Sequence, residues 1–169
     1  MIKQFVPEEA CLKCSGCCRF KEADSVWSPC LLEEEILSLV DKEGVPALSL
    51  SLNKRIVPVP IEGKDGFFCP CLSVADNKCK IYAMRPFECQ LYPFLIAFRN
   101  KKVLLTVDLN CPYAREKADS REFKEYVNYL DEFLNSPKFI RVLKENPHLI
   151  QAYEDALDCC ELNIQDETK

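Results

Sequence analysis

The chain has 169 residues, 29% of them charged and 48% hydrophobic, and a formal net charge of −5. That length fits one domain, or one with a helical extension, and supports a real core. The acidic balance disfavours a general nucleic-acid binder, whose surface is basic. No run reaches the roughly 18 apolar residues of a membrane span, so neither nucleic acid nor membrane is expected as a partner.

From the N-terminus, Met1 to Ala10 holds no apolar run of signal-peptide length, which predicts a cytoplasmic, reducing location. Twelve cysteines then read as metal ligands rather than disulfides; export would reverse that reading. Four of them fall in Cys11-Leu12-Lys13-Cys14-Ser15-Gly16-Cys17-Cys18, spaced C-x2-C-x2-C-C. A Cys-x-x-Cys turn brings two sulfurs to one centre, and a second step adds a third. Gly16 lets the backbone turn tightly between ligands, since it can take a positive φ that other residues resist. A loop with so few apolar side chains gains its order from metal–thiolate bonds, which contribute folding free energy directly.

Arg19 to Ser28 reads as a polar linker. A helix follows over residues 31–40, with Leu32, Ile36, Leu39 and Val40 on one face, stopped by Gly44 and Pro46. Cys30, just before it, is a ligand or a small buried residue. Residues 55–61 are β-rich, but Pro58 and Pro60 confine them to an edge strand or an extended segment. After the turn at 62–66, Phe67 to Leu72 predicts a short strand running into a second ligand loop with Cys69 and Cys71. Asp76-Asn77 makes the next turn before Cys79. In the run from Cys79 to Cys89, Ile81 to Met84 forms a helical turn that Pro86 ends. Arg85 offers a guanidinium to offset thiolate charge and donate to sulfur, making it a cofactor-binding candidate; the alternative is a surface pair with Glu88.

The pairing of C-x-x-C-x-G-C-C with C-x-I-Y-x-x-R-P-x-x-C-x-x-Y-P, over roughly residues 11–94, resembles the YkgJ-like cysteine-cluster family of bacteria and archaea. That family is described as a zinc- or iron-chelating domain and has similarity to flagellin lysine methylases, which are associated with a four-iron cluster. By position, the resemblance implies metal ligation by Cys11, Cys14, Cys17, Cys18, Cys71, Cys79 and Cys89. This chain adds Cys69, Cys30 and Cys111, which allows a larger ligand set or a second centre.

Residues 94–99 and 102–107 read as a hairpin turning at Asn100-Lys101, without glycine. Cys111-Pro112 resembles the ligand-then-proline pattern of ferredoxins, so Cys111 joins Cys69 as a candidate ligand. From Ala118 the pattern turns helical. Ser120 caps a helix burying Phe123, Tyr126, Val127, Leu130, Phe133 and Leu134. Ser136-Pro137 starts a second with Phe139, Ile140 and Leu143. Asn146-Pro147 starts a third, carrying Leu149, Ile150, Tyr153 and Leu157 and ending at Cys159-Cys160, a weak metal signal. His148, the lone histidine, reads as solvated.

With one remote histidine, any site must be built from sulfur, which selects zinc or an iron–sulfur cluster. Three ligands from one C-x2-C-x2-C loop favour a 4Fe-4S cluster over zinc, although Cys17 and Cys18 are adjacent and neighbouring sulfurs diverge. The expected fold is α+β: cysteine loops on a small antiparallel sheet over residues 1–115, with a C-terminal helical subdomain over 116–169 packed on it. The expected function is metal binding with a redox or methylase-like role and a redox or protein partner. The alternatives are a zinc-stabilised interaction domain and a metal store or chaperone. No nucleotide loop, H-E-x-x-H or Ser–His–Asp pattern is present, and C-x2-C-x2-C is not the radical-SAM spacing; the sequence names no substrate and does not decide whether the protein is an enzyme.

Overall fold

The computed structural model describes residues 2–14, 16–39, 42 and 45–164. The architecture is α+β, short helices with small antiparallel sheets, as expected. The chain divides into two compact units, Met1–Leu91 and Tyr92–Lys169.

In the first unit, α1 (Glu8–Lys13) opens on two acidic residues and closes on Lys13, the charges that suit its two ends. Cys11 therefore sits on a helix, not in the loop the spacing suggested. The expected linker from Arg19 begins instead as β1 (Arg19–Phe20). Helix α2 (Glu33–Leu39) buries Leu39, with Leu31 and Leu32 buried just ahead of it; Val40 and the expected stop at Gly44 lie outside the described residues. Strands β2 (Val59–Pro60) and β3 (Phe67–Phe68) complete an antiparallel sheet of order β1-β3-β2. The proline-bearing strand is at an edge, where its missing N–H costs no ladder bond.

Next come β4 (Leu72–Ser73) and β5 (Lys78–Cys79), an antiparallel hairpin. A 3-10 turn over Tyr82–Met84 stops at Arg85, whose extended backbone (φ −55°, ψ 138°) is what Pro86 demands of the residue before it. Helix α3 (Phe87–Leu91), unanticipated in the sequence, then carries Cys89. The core of this unit gathers Phe20, Leu31, Leu39, Ile56, Leu72 and Ile81 with Cys69 and Cys71. Two cysteines are thus core residues as well as candidate ligands.

In the second unit, β6 (Phe94–Arg99) and β7 (Lys102–Val107) form the expected hairpin. Asn100 and Lys101 take φ of 52° and 63°, the left-handed pair that a two-residue hairpin turn needs. Helix α4 (Pro112–Lys117) starts on its proline. Helices α5 (Arg121–Leu134) and α6 (Pro137–Glu145) are each capped as expected: the Ser120 and Ser136 hydroxyls accept from the N–H groups of Phe123 and Phe139. The inward face of α5 brings Phe123 and Tyr126 to ring-centroid distances of 5.4 and 5.2 Å from Phe94.

The third expected helix is not formed. Asn146-Pro147 begins a single 3-10 turn, Pro147–Leu149. The chain then runs extended: Phe98 N–H donates to the Gln151 carbonyl and Gln151 N–H to that of Ile96. It ends in β8 (Leu157–Glu161), antiparallel to β7. Leu157, expected inside, is 51% exposed. The unpaired edge of β7 offers a full ladder of backbone bonds, and that outweighs a weak helical periodicity. Cys159-Cys160 therefore lies in a strand. Cys160 pairs with Leu105 and Asp158 with Thr106, which leaves Cys159 as the extra residue of a bulge.

Candidate metal centre

All twelve cysteines are thiols, with no disulfide among the described residues. Within the first unit, four segments bring sulfurs together. Helix α1 supplies Cys11, and Cys14 follows at its C-terminal cap. Cys17 and Cys18 lead into β1, which is fixed to β3 by the pairs Arg19–Phe68 and Phe20–Phe67. Cys18 carbonyl accepts from Cys69 N–H at 3.0 Å, so the first and second cysteine runs meet through the backbone. Cys71 and Cys79 flank the β4–β5 hairpin, and Lys80 N–H donates to the Cys71 carbonyl at 2.8 Å. Helix α3 adds Cys89.

The thiols sense one another. Cys17 donates to the sulfur of Cys18, and this bond, with burial and the nearby Cys18, Cys89 and Cys11, pushes the Cys17 thiol well up. The same bond holds Cys18 down to about 7, against burial, with help from the guanidinium groups of Arg19 and Arg85. Cys69 is hydrogen-bonded to the Cys71 side chain and is raised by that bond first, then by burial, with Cys71 and Cys18 adding to it. Burial raises Cys79, opposed by the Ile81 N–H that its sulfur accepts, with Cys18, Cys69 and Arg85 in range. Burial is also the largest cause at Cys89, followed by Cys69, Cys18, Cys79 and Glu88. Cys11, Cys17, Cys18, Cys69, Cys71, Cys79 and Cys89 thus form one electrostatic group. Cys14 lies beside Gly16: a Cβ added there would be 3.4 Å from the Cys14 sulfur. Ser15 lies outside the described residues.

The remaining candidates are placed elsewhere. Cys111 is buried at the N-cap of α4, in the second unit. Cys30 is fully buried, its thiol pushed up to about 12, chiefly by burial. Arg85 lies over the Tyr82 ring at 3.7 Å, and donates from Nε to the Tyr82 carbonyl and from Nη2 to Gln4 Oε1. It does not make the surface pair with Glu88. Glu88 is half-buried instead and accepts from Cys30 N–H at 2.6 Å, its carboxyl pushed up to about 7 by loss of solvent above all. Glu35 answers from α2, accepting from Phe87 N–H at the start of α3.

Two further residues had no signal as site residues. Arg19 donates from Nη1 to Asn77 Oδ1 at 2.8 Å, and Asn77 Nδ2 donates to the carbonyls of Leu12 and Cys14 at 3.0 and 2.5 Å. The sequence showed Asn77 only as a turn residue and Arg19 only as the start of a linker. Their partners are 58 to 65 positions away, beyond any local pattern.

The family comparison bears directly on this group of sulfurs. The sequence matches the CxxCxxCC family, described as a "putative zinc- or iron-chelating domain", over residues 10–168. The chain belongs to that family. No curated protein and no solved structure gives a match. Metal chelation by a cysteine-rich chain is the property that family membership and donor set share. The donors present, all sulfur, fit a thiophilic centre. Among the described residues, no three Cys, His, Asp or Glu side chains are arranged to close around a single ion. Also among them, no helix is long and apolar enough to cross a membrane.

Proposed function

We propose that the first unit holds an iron–sulfur centre through its clustered thiols and uses it in redox chemistry with a protein partner. The observation that carries this reading is the electrostatic grouping of seven thiols from four chain segments. A tetrahedral zinc ion takes four ligands, and this group exceeds that number. Two guanidinium groups, Arg19 and Arg85, stand near Cys18. Two positive charges cannot balance seven thiolates, so a multivalent centre would displace thiol protons as it binds. Backbone bonds from Cys69 N–H to the Cys18 carbonyl and from Lys80 N–H to the Cys71 carbonyl support such a centre by drawing these segments together.

Within this reading, Cys11, Cys14 and Cys17 supply three ligands from one short segment, and Cys71, Cys79 or Cys89 supplies the fourth. A bound cluster would supply one-electron chemistry. The chain's own groups would orient the ligands, exclude water from Cys69 and Cys71, and set the positive charge of Arg85 beside the centre.

Anaerobic purification, a visible spectrum and elemental analysis test the assignment. A broad band near roughly 400 nm with about four irons per chain is the expected result. A colourless protein with one or two zinc ions would replace it with the zinc-stabilised reading.

A further inference from the structure

Two ends of the N-terminal cysteine run are held in different ways. The Cys17–Cys18 end is tied by main chain: Cys18 carbonyl to Cys69 N–H, and β1 to β3. The Cys11–Cys14 end is in no ladder. Helix α1 has six residues, and its cap supplies one backbone bond, Cys14 N–H to the Cys11 carbonyl at 3.1 Å. A helix this short leaves its last carbonyls to be satisfied from outside. The Asn77 amide does that for Leu12 and Cys14.

The chemistry of that amide is fully used. Its two N–H bonds go to two carbonyls, which only accept, and its oxygen goes to a guanidinium, which only donates. Only one orientation of the amide satisfies all three partners. The backbone at Asn77 has φ 58°, a left-handed conformation that asparagine tolerates better than most residues. Asn77 lies two positions before Cys79, and Arg19 one position after Cys18. One side chain therefore spans the Cys11–Cys14 segment, the Cys79 hairpin and the residue next to Cys18.

We infer that Asn77, oriented by Arg19, is a positioning residue that sets the first two cysteines of the run against the Cys71–Cys79 hairpin. This rests on the reading that these thiols form one metal centre. Asn77 touches no sulfur in this role. It fixes where the Cys11–Cys14 backbone lies, and so how far those thiols must travel to share a centre with Cys79.

The test uses the full chain, metal-free, titrated anaerobically with Co(II), whose sulfur-to-cobalt charge-transfer and d–d bands report the number and geometry of thiolates. Asn77→Gly removes the amide and keeps the left-handed backbone accessible. Asn77→Asp keeps an acceptor for Arg19 but turns oxygen toward two carbonyls. Arg19→Lys retains one donor and serves as the conservative control. In Asn77→Gly the Co(II) dissociation constant rises about tenfold, the lower end for residues that orient ligands. Its d–d bands at saturation also move. Asn77→Asp loses more, and Arg19→Lys stays near the parent. A general loss of stability would not move the spectrum of a saturated site. Parent-like affinity and spectrum in Asn77→Gly would overturn the inference.

Hydrogen exchange on the metal-free proteins gives a second measurement that needs no metal and no fully stable aspartate variant. Faster exchange over residues 10–14 in Asn77→Gly supports the clamp, and unchanged exchange there overturns it. A parent protein that binds neither Co(II) nor iron would sink the metal reading alone, and the exchange comparison would still decide on the clamp.

Discussion

Cys17 and Cys18 are chain neighbours with opposite acidities, because one thiol donates to the other's sulfur and only the acceptor faces two guanidinium groups. Thiolate is the reactive form. In metal-free protein near neutral pH, Cys18, lowered to about 7, should be alkylated well before Cys159, which burial first and then Cys160 and Asp158 push up to about 12. Time-resolved peptide mass spectrometry with iodoacetamide checks this; equal rates would contradict the electrostatic assignment. Arg85 acts at the same scale. If the centre is redox-active, its positive charge stabilises the reduced, more negative state. Arg85→Ala should therefore lower the reduction potential by tens of millivolts, since it removes a positive charge that acts on Cys18 and Cys79. Protein-film voltammetry reads this directly, and an unmoved potential would remove Arg85 from the cofactor's surroundings.

At the scale of elements, local rules worked where the signal was a cap, a proline or a turn. Ser120 and Ser136 start α5 and α6, and Ser120→Ala should cost about 1 kcal/mol, seen as a lower urea midpoint with an unchanged slope. A midpoint equal to the parent's would mean the cap is replaced by solvent or a neighbour. The Asn100-Lys101 turn was legible from two flanking β-rich runs even without glycine. Helix α3 and strand β8 were not legible. Helix α3 is five residues long, and its first N–H, on Phe87, is satisfied by Glu35 from another segment. Strand β8 exists because β7 has an edge to fill. Neither cause leaves a periodic trace in its own segment.

For the whole molecule, ligation by these thiols would make folding and metal binding one equilibrium. Binding requires loss of thiol protons, so acid competes with metal: affinity, and the stability that metal adds, fall as pH falls. Loaded protein should melt above metal-free protein, and the gap should shrink on acidification; scanning calorimetry at two pH values with and without a strong chelator checks it. A gap independent of pH would argue against thiolate ligation.

Spacing alone made Cys11, Cys14, Cys17 and Cys18 candidates, because residues close in sequence must be close in space. Family motif and sulfur-only donor set likewise pointed to metal chelation. What tertiary structure decided is which distant groups share that space. It brought Cys69, Cys71, Cys79 and Cys89 into electrostatic reach of the first run, placed Cys111 in the other unit, set Glu88 on the Cys30 N–H, and put the Asn77 amide on two carbonyls of the N-terminal helix end. Each of these depends on long-range backbone pairing and burial, and a side chain's partner 60 or so residues away is set by where the sheet and core carry it, not by its neighbours in the chain.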